Sequence, residues 1–304
     1  MQETTVPKVR STESSSSSLA AHADECSGSP GLCIDTGTQE LLCNLRERVL
    51  TITFNRPASR NALSSVLSPA LRRLLSTAAD DSRVGAVVLT GTGDAFCAGG
   101  DVKGMDQSNA AEPEERATLV ERVCDLQRRQ RELTGALVAL RQPTIAALPG
   151  PAVGAGLAIA LACDLRIAAE TAFVMTGYSR VGLSGDYGIS WLLTRTVGTA
   201  RARELLFTSA RVGAHRAEAI GLVNRVVKAS DLQAEAFALA RELANGPQDA
   251  LRAMKSNLDE ALASDFLSSL DVEAERLVAC AMGSDHAEAV RAFVEKRQPL
   301  FLRQ

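Results

Sequence analysis

The sequence predicts an α/β fold, a spiral of repeated β-β-α units that ends in a C-terminal helical module. Two observations predict it. A buried-type apolar strand, a glycine-rich turn and a helix follow one another twice between residues 85 and 162, an order that needs crossover connections. From about Leu232 helical periodicity then runs almost unbroken, with little Gly or Pro, as suits helices packed on the core or on another subunit. A chain of 304 residues that is 46% apolar can bury a core of the size this needs.

The elements follow in chain order. Residues 1–40 are rich in Ser, Thr and Gly, carry the run Ser14 to Ser18 and have no apolar h-region, so a disordered tail is expected rather than a secretory signal. Glu3, Glu13, Asp24 and Glu25 are acidic where a transit peptide avoids acid, which makes the cytoplasm the expected location and the mitochondrion the alternative. The spiral core is expected over 41–230. It opens with a hairpin or meander, Leu41 to Leu45 and Val49 to Phe54, ended by Asn55-Arg56-Pro57. Leu63 to Ala79 has helical spacing, and Gly85 to Leu89 is a buried-type strand ended by Thr90-Gly91-Thr92-Gly93. A charged helix, Glu114 to Arg141, leads to the strand Thr144 to Leu148 and then to a helix around Val153 to Ala162. The helical module, 231–304, should hold four helices: Gln233 to Ala244, Asp249 to Ala263, Asp265 to Cys280 and Asp285 to Glu295.

Composition narrows the partners. The net charge is −3, acids and bases are mixed, and aromatics make up only 4%, so there is no electrostatic footprint for nucleic acid. The longest apolar stretch, Ala152 to Cys163, is well short of the roughly 18 to 20 residues that cross a bilayer, which argues against membrane insertion. The seven cysteines form no CxxC pair and no His stands at metal-ligand spacing, so reduced thiols in an intracellular compartment and no metal are expected.

Two glycine turns could carry chemistry. Ala95-Phe96-Cys97-Ala98-Gly99-Gly100-Asp101-Val102-Lys103 directly follows a buried strand, and its small residues let the backbone approach a ligand, with an N–H free to point at a carbonyl oxygen. A tight turn with an Asp cap is the plainer reading of the same residues. Pro149-Gly150-Pro151-Ala152-Val153-Gly154-Ala155-Gly156 opens a helix and offers the free N–H groups and positive dipole of a helix start. It lacks the GxGxxG spacing of a dinucleotide site.

Four blocks together resemble the signature regions of the crotonase (enoyl-CoA hydratase/isomerase) superfamily. They are Phe54-Asn55-Arg56-Pro57 with Arg60-Asn61-Ala62-Leu63, then Phe96 to Asp101, then Pro143 to Asp164, and Ala219 to Val227. The likeness covers roughly Leu41 to Gln304, in order and at the expected spacing. It implies a crotonase-type spiral whose helical part trimerises, as a homotrimer or a dimer of trimers, and an acyl-CoA thioester substrate with no separate cofactor. By the same resemblance the oxyanion hole falls on the N–H groups of Gly100 and Ala155. Substrate contacts fall on Ala98, Asp101, Val102, Lys103 and Tyr178.

The departures decide more than the agreement. The two glutamates of the family's hydratases correspond here to Ala158 and Tyr178, and neither is a carboxylate. Asp186, within Gly182-Leu183-Ser184-Gly185-Asp186-Tyr187-Gly188, falls where double-bond isomerases and an aryl-CoA dehalogenase type carry their catalytic acid. One carboxylate suits a 1,3-proton shuttle, which favours isomerisation over hydration. A hydratase working through Asp186, with Tyr178 as an ordering donor, is the first alternative, and a retired crotonase fold that only binds is the second. Asp186 could equally serve as a helix N-cap, because Ile189 to Leu193 follow it. His215 and His286 read as surface residues, Cys97 as a small packed side chain, Trp191 as core or pocket wall, and Asp164 as structural.

Overall fold

The computed structural model describes Leu19, residues 31–100 and residues 118–301. Its main sheet contains β1 (Leu32–Cys33), β2 (Leu41–Arg46), β3 (Val49–Phe54), β4 (Ala86–Gly91), β5 (Thr144–Leu148), β7 (Leu165–Ala169) and β10 (Arg225–Val227), adjacent in that order. β1, β2 and β3 pair antiparallel, and every pairing from β3 to β10 is parallel. β4 and β5 are buried at every residue, as parallel strands covered on both faces must be, and their Val, Leu, Ile and Ala runs show it. A smaller sheet joins β6 (Ala152–Val153), β8 (Phe173–Met175) and β9 (Val212–Gly213).

The helices follow from their periodicity. In α1 (Leu67–Asp80), Leu67, Ala70, Leu71, Leu74, Leu75 and Ala78 form the buried stripe. α2 (Leu119–Gln130) starts in a reciprocal capping box between Thr118 and Glu121, and a π-helical turn, Arg131–Gly135, carries it into α3 (Ala136–Ala139). α4 (Ala155–Ala162) is buried on all sides, which is why its AGLAIALA sequence has no polar face. α5 (Ile189–Thr208) is broken at Gly198, where φ is +76° and ψ is 166°. α6 (Ala214–Ala219) is short, and α7 (Leu232–Ala244) buries Leu232, Ala236, Ala240 and Ala244. α8 (Gln248–Ala261), α9 (Phe266–Ala281) and α10 (Ser284–Glu295) complete the chain.

The structure departs from the sequence reading in several places. Ordered chain begins ahead of residue 41, because β1 pairs with β2, and Leu19 is buried with its N–H 3.1 Å from Asp81 Oδ2 and its carbonyl 3.0 Å from Arg83 Nη2. Reduced thiols do not hold throughout: Cys33 is disulfide-bonded, while Cys43, Cys97, Cys124, Cys163 and Cys280 are free. The helix read from Asp265 begins one residue later, because the Asp265 carboxylate caps it and accepts from the N–H groups of Leu267 and Ser268 at 3.0 and 3.1 Å. Among the described residues, no helix is long and apolar enough to cross a membrane.

Asp164 has the structural role expected of it. Its Oδ2 accepts from the Thr144 N–H (2.8 Å), the Thr144 hydroxyl (2.9 Å) and Lys255 Nζ (2.9 Å), and its own N–H donates to Thr144 Oγ1 (2.8 Å). The start of β5, the end of α4 and helix α8 are thereby tied at one carboxylate. Replacing it by alanine strands a buried N–H and a lysine, so Asp164→Ala should lower the unfolding free energy by about 1–3 kcal/mol in a urea titration. A loss below about 0.5 kcal/mol would show that water replaces the clasp at no cost.

Candidate active site

The first glycine turn is set by Asn61. This residue sits in the left-handed region (φ +57°) and is fully buried. Its Oδ1 accepts from the Arg56 N–H at 2.8 Å, and its Nδ2 donates to the carbonyls of Thr92 and Ala95 at 3.0 and 2.8 Å. The Arg-Asn-Ala-Leu block therefore clamps the loop that leaves β4. Beyond the clamp, Phe96 and Cys97 donate to Pro151 O, Val153 donates to Cys97 O at 2.9 Å, Ala98 donates to Arg60 O at 3.0 Å, and Leu63 donates to Gly99 O at 2.8 Å.

These bonds orient the predicted donors. In the parallel bridge between Leu63 and Gly100, Leu63 supplies the bonding groups, so the N–H of Gly100 points away from it. Gly99 has φ +91°, and a Cβ there would lie 2.7 Å from Val153 O and 3.5 Å from Ala155 N, so the two turns are in contact. Ala155 is the first residue of α4, where an N–H has no helical acceptor, and its cap Gly154 (φ +55°) adds no side-chain bond. Gly100 and Ala155, predicted as an oxyanion hole, thus lie on adjoining turns. Ala155 is buried. Asp101, Val102 and Lys103 lie outside the described residues, and Ala98 is half-buried with its N–H spent on Arg60.

The third part of the site is a pair. Tyr178 opens a 3₁₀ turn, Tyr178–Val181, flanked by the left-handed Gly177 and Gly182. Its hydroxyl donates to Asp186 Oδ1 at 2.6 Å, and its ring carbon Cζ lies 4.0 Å from where a Cβ of Gly154 would stand. The carboxylate is thereby brought beside the second turn. Burial pushes the Asp186 carboxyl above its ordinary range, an effect that the Tyr178 hydrogen bond partly opposes. Burial and the adjacent Asp186 charge push the Tyr178 phenol far up, so it remains a protonated donor.

The cap reading of Asp186 is corrected. Gly188 (φ +77°) is the N-cap of α5 without a side-chain bond, and Asp186 contributes only its carbonyl, which accepts from the Ile189 N–H at 3.1 Å. Ala158 is fully buried within α4 and brings no polar group. Cys97 is buried, and desolvation pushes its thiol up to about 12, which makes it a packed side chain rather than a nucleophile. His215 and His286 are exposed. Among the described residues, no group of three or more His, Cys, Asp or Glu could hold a metal.

The Tyr178–Asp186 bond and the clamp at Asn61 were not read from the sequence. The sequence marked Asn61 only as part of the Arg60-Asn61-Ala62-Leu63 block and Tyr178 beside Asp186 only as an ordering donor, without the bonds themselves. The contact between the turns gives a sharp test at Gly156, where a Cβ would lie 2.2 Å from Cys97 O and 2.8 Å from Cys97 Cβ. Gly156→Ala should destabilise the fold by more than about 2 kcal/mol or prevent soluble expression. Normal melting and activity would mean that the two turns can separate without loss.

Comparison with known proteins gives a consistent result. A family model described as enoyl-CoA hydratase/isomerase matches residues 44–304. A short-chain-enoyl-CoA hydratase of Clostridium acetobutylicum is 33% identical over 252 residues, covering 83% of this chain and 93% of its own. A crotonyl-CoA hydratase of Syntrophomonas wolfei is 31% identical over 265 residues, covering 87% and 98%. Among solved structures, an enoyl-CoA hydratase from Polaromonas sp. JS666 superimposes with a TM-score of 0.79 at 32% identity, over 86% of this chain and 99% of that one.

Proposed function

The chain belongs to the enoyl-CoA hydratase/isomerase family, and on that premise we propose that it shifts a double bond along the acyl chain of a CoA thioester through one carboxylate. The observation that carries this reading is the Tyr178 hydroxyl at 2.6 Å from Asp186 Oδ1, in a site where Ala158 leaves the other hydratase position without a carboxylate. In the proposed reaction the thioester oxygen accepts from the N–H groups of Gly100 and Ala155. Asp186 takes a proton from one carbon of the acyl chain, the electron pair spreads onto that oxygen as a dienolate, and the same proton returns to a different carbon. No water is consumed and no electron leaves the substrate, so the chemistry calls for no cofactor beyond the CoA that the substrate carries. Tyr178 engages Oδ1 and leaves Oδ2 for the proton, and the desolvation that raises the Asp186 pKa makes it a stronger base when ionised.

Hydration is the second reading, favoured by the hydratase names of the similar proteins. In that case Asp186 would orient a water and return its proton. CoA contacts at Asp101, Val102 and Lys103 belong to the proposal through the family resemblance. So does self-association as a trimer, supported by apolar side chains that α9, α10 and the link between them leave in solvent, Phe266 (75% exposed), Met282 (84%) and Phe293 (84%) among them.

Incubation with 2-enoyl-CoA and 3-enoyl-CoA in D₂O separates the readings. Interconversion without a gain in mass from water is the expected outcome, and Asp186→Asn should lower kcat/KM by about 10²-fold or more. Addition of water would make the enzyme a hydratase, and full activity in Asp186→Asn would remove the proton shuttle.

The pH dependence has a definite sign. Proton abstraction needs the carboxylate, so activity should fall as pH drops through the raised pKa of Asp186, at a higher pH than an ordinary aspartate gives. Tyr178→Phe removes the one bond that pulls this pKa down, so the acid limb of kcat/KM should move to still higher pH. A limb unmoved by Tyr178→Phe would mean that another group controls it.

A further inference from the structure

We propose that Ser209 is a positioning residue for the Tyr178–Asp186 pair, acting through Thr176 and Ser179 to hold the turn that aims the Tyr178 hydroxyl at the carboxylate. This rests on the reading of Asp186 as the proton carrier. Ser209 is fully buried, and at φ +44° it stands in the left-handed region, where a helix end ordinarily carries glycine. A serine kept in that conformation has its hydroxyl to account for.

The hydroxyl joins a chain whose direction follows from proton counting. Thr176 donates its one hydroxyl proton to Leu205 O at 2.7 Å, so in the 3.3 Å contact between Thr176 and Ser209 the serine is the donor. Ser209 then accepts from Ser179 at 2.7 Å. Thr176 and Ser179 lie on either side of Tyr178, so the chain grips the tyrosine turn from both sides. Backbone bonds printed by the same turn stay inside it, Arg180 N–H to Gly177 O at 3.2 Å and Leu183 N–H to Tyr178 O at 3.0 Å. With the permissive Gly177 and Gly182 at its two ends, its orientation falls to side chains. A straight helix of 20 residues spans about 30 Å. The break at Gly198 lets both ends of α5 come to the one turn, Asp186 before its first residue meeting Tyr178 and Ser209 after its last meeting Ser179.

Ser209→Gly deletes the hydroxyl, suits the backbone conformation and strands no buried donor, because Thr176 keeps Leu205 O and the exposed Ser179 turns to water. A merely structural serine would therefore leave the pair unchanged. The chain has two tyrosines, so the ¹³Cζ signal of Tyr178 in tyrosine-labelled protein, assigned by its loss in Tyr178→Phe, can be followed against pH without any turnover. The phenol stays protonated, so the midpoint of that signal reports the ionisation of its partner Asp186. Other groups near the pair are Tyr187 on the same segment, Arg72 on α1, and Asp125 and Arg129 on α2, all unaltered in the variants.

Ser209→Gly and Ser179→Ala should each raise the midpoint by at least about half a pH unit, a threefold change in proton affinity, as the Tyr178 bond that lowers the Asp186 pKa is loosened. In a Tyr178→Phe background, adding Ser209→Gly should leave the acid limb of kcat/KM where it is. A smaller midpoint shift in either single variant would overturn the proposal, since the chain passes through both residues. So would a further limb shift of the same size in the Tyr178→Phe background, which would put Ser209 on another route to Asp186. Should Ser209→Gly not fold, Ser179→Ala decides alone. An absence of isomerase turnover would sink the proposed reaction, and the Tyr178 midpoint would still decide the role of Ser209.

Discussion

The close approach of two backbone turns is the constraint on which the rest of the site depends. A Cβ on Gly99 would meet Val153 O at 2.7 Å, one on Gly156 would meet Cys97 O at 2.2 Å, and one on Gly150 would meet Asp94 O at 1.8 Å. Side chains are excluded at these positions because main chain already fills the space. What the exclusion achieves is that Gly100 and Ala155, the donors of the proposed oxyanion hole, lie on turns whose separation is set by backbone rather than by rotamers. In the proposed reaction, donors held in advance need no reorganisation when charge develops. Asn61 extends the constraint outward, since its amide holds both the chain entering at Arg56 and the loop between Thr92 and Ala95.

This logic also explains what the sequence disclosed. The β2–β3 hairpin, the strands β4 and β5, helix α1 and the C-terminal helices were legible because their signals are local: alternation, helical spacing and glycine stops. The resemblance then located Gly100, Ala155 and Asp186 by their neighbours in the chain. The interactions that join distant segments were not legible. Tyr178 was named beside Asp186 as an ordering donor, but their direct bond depends on turns set by Gly177, Gly182 and Gly185. Arg166 escaped altogether, although its buried guanidinium donates to the carbonyls of Cys163 and Leu222 at 2.7 and 2.8 Å and holds β7 to the chain before β10. An arginine within an apolar strand gives no sign of acceptors 56 residues away. The strand at Leu32–Cys33 was missed because two residues are too few to show alternation.

Two aspartates differ in partner number, one a structural clasp and the other the carboxylate of the proposed reaction. Asp164 Oδ2 receives three donors, one of them a lysine, and is spent on tying three elements together. Asp186 is more deeply placed in apolar surroundings and has one neutral hydroxyl. The fold therefore bears a desolvation cost at Asp186 that it avoids at Asp164. Because the folded pKa of Asp186 is raised, its contribution to stability is fully present below the ordinary aspartate pKa and is lost as pH rises through the raised value. In the proposed reaction, a carboxylate kept short of donors suits the acceptance of a proton from carbon.

The appended helices bring assembly into the same argument. α7 is packed into the core, with Ala244 so close to Gly85 that a Cβ there would meet its carbonyl at 2.6 Å, whereas α8 and α9 bury no residue fully. Lys255 on α8 joins these helices to the core at Asp164. A contact between copies that covered the apolar faces of α9 and α10 would hold α8 as well, and through Lys255 it would brace the Asp164 clasp that joins β5 to the end of α4.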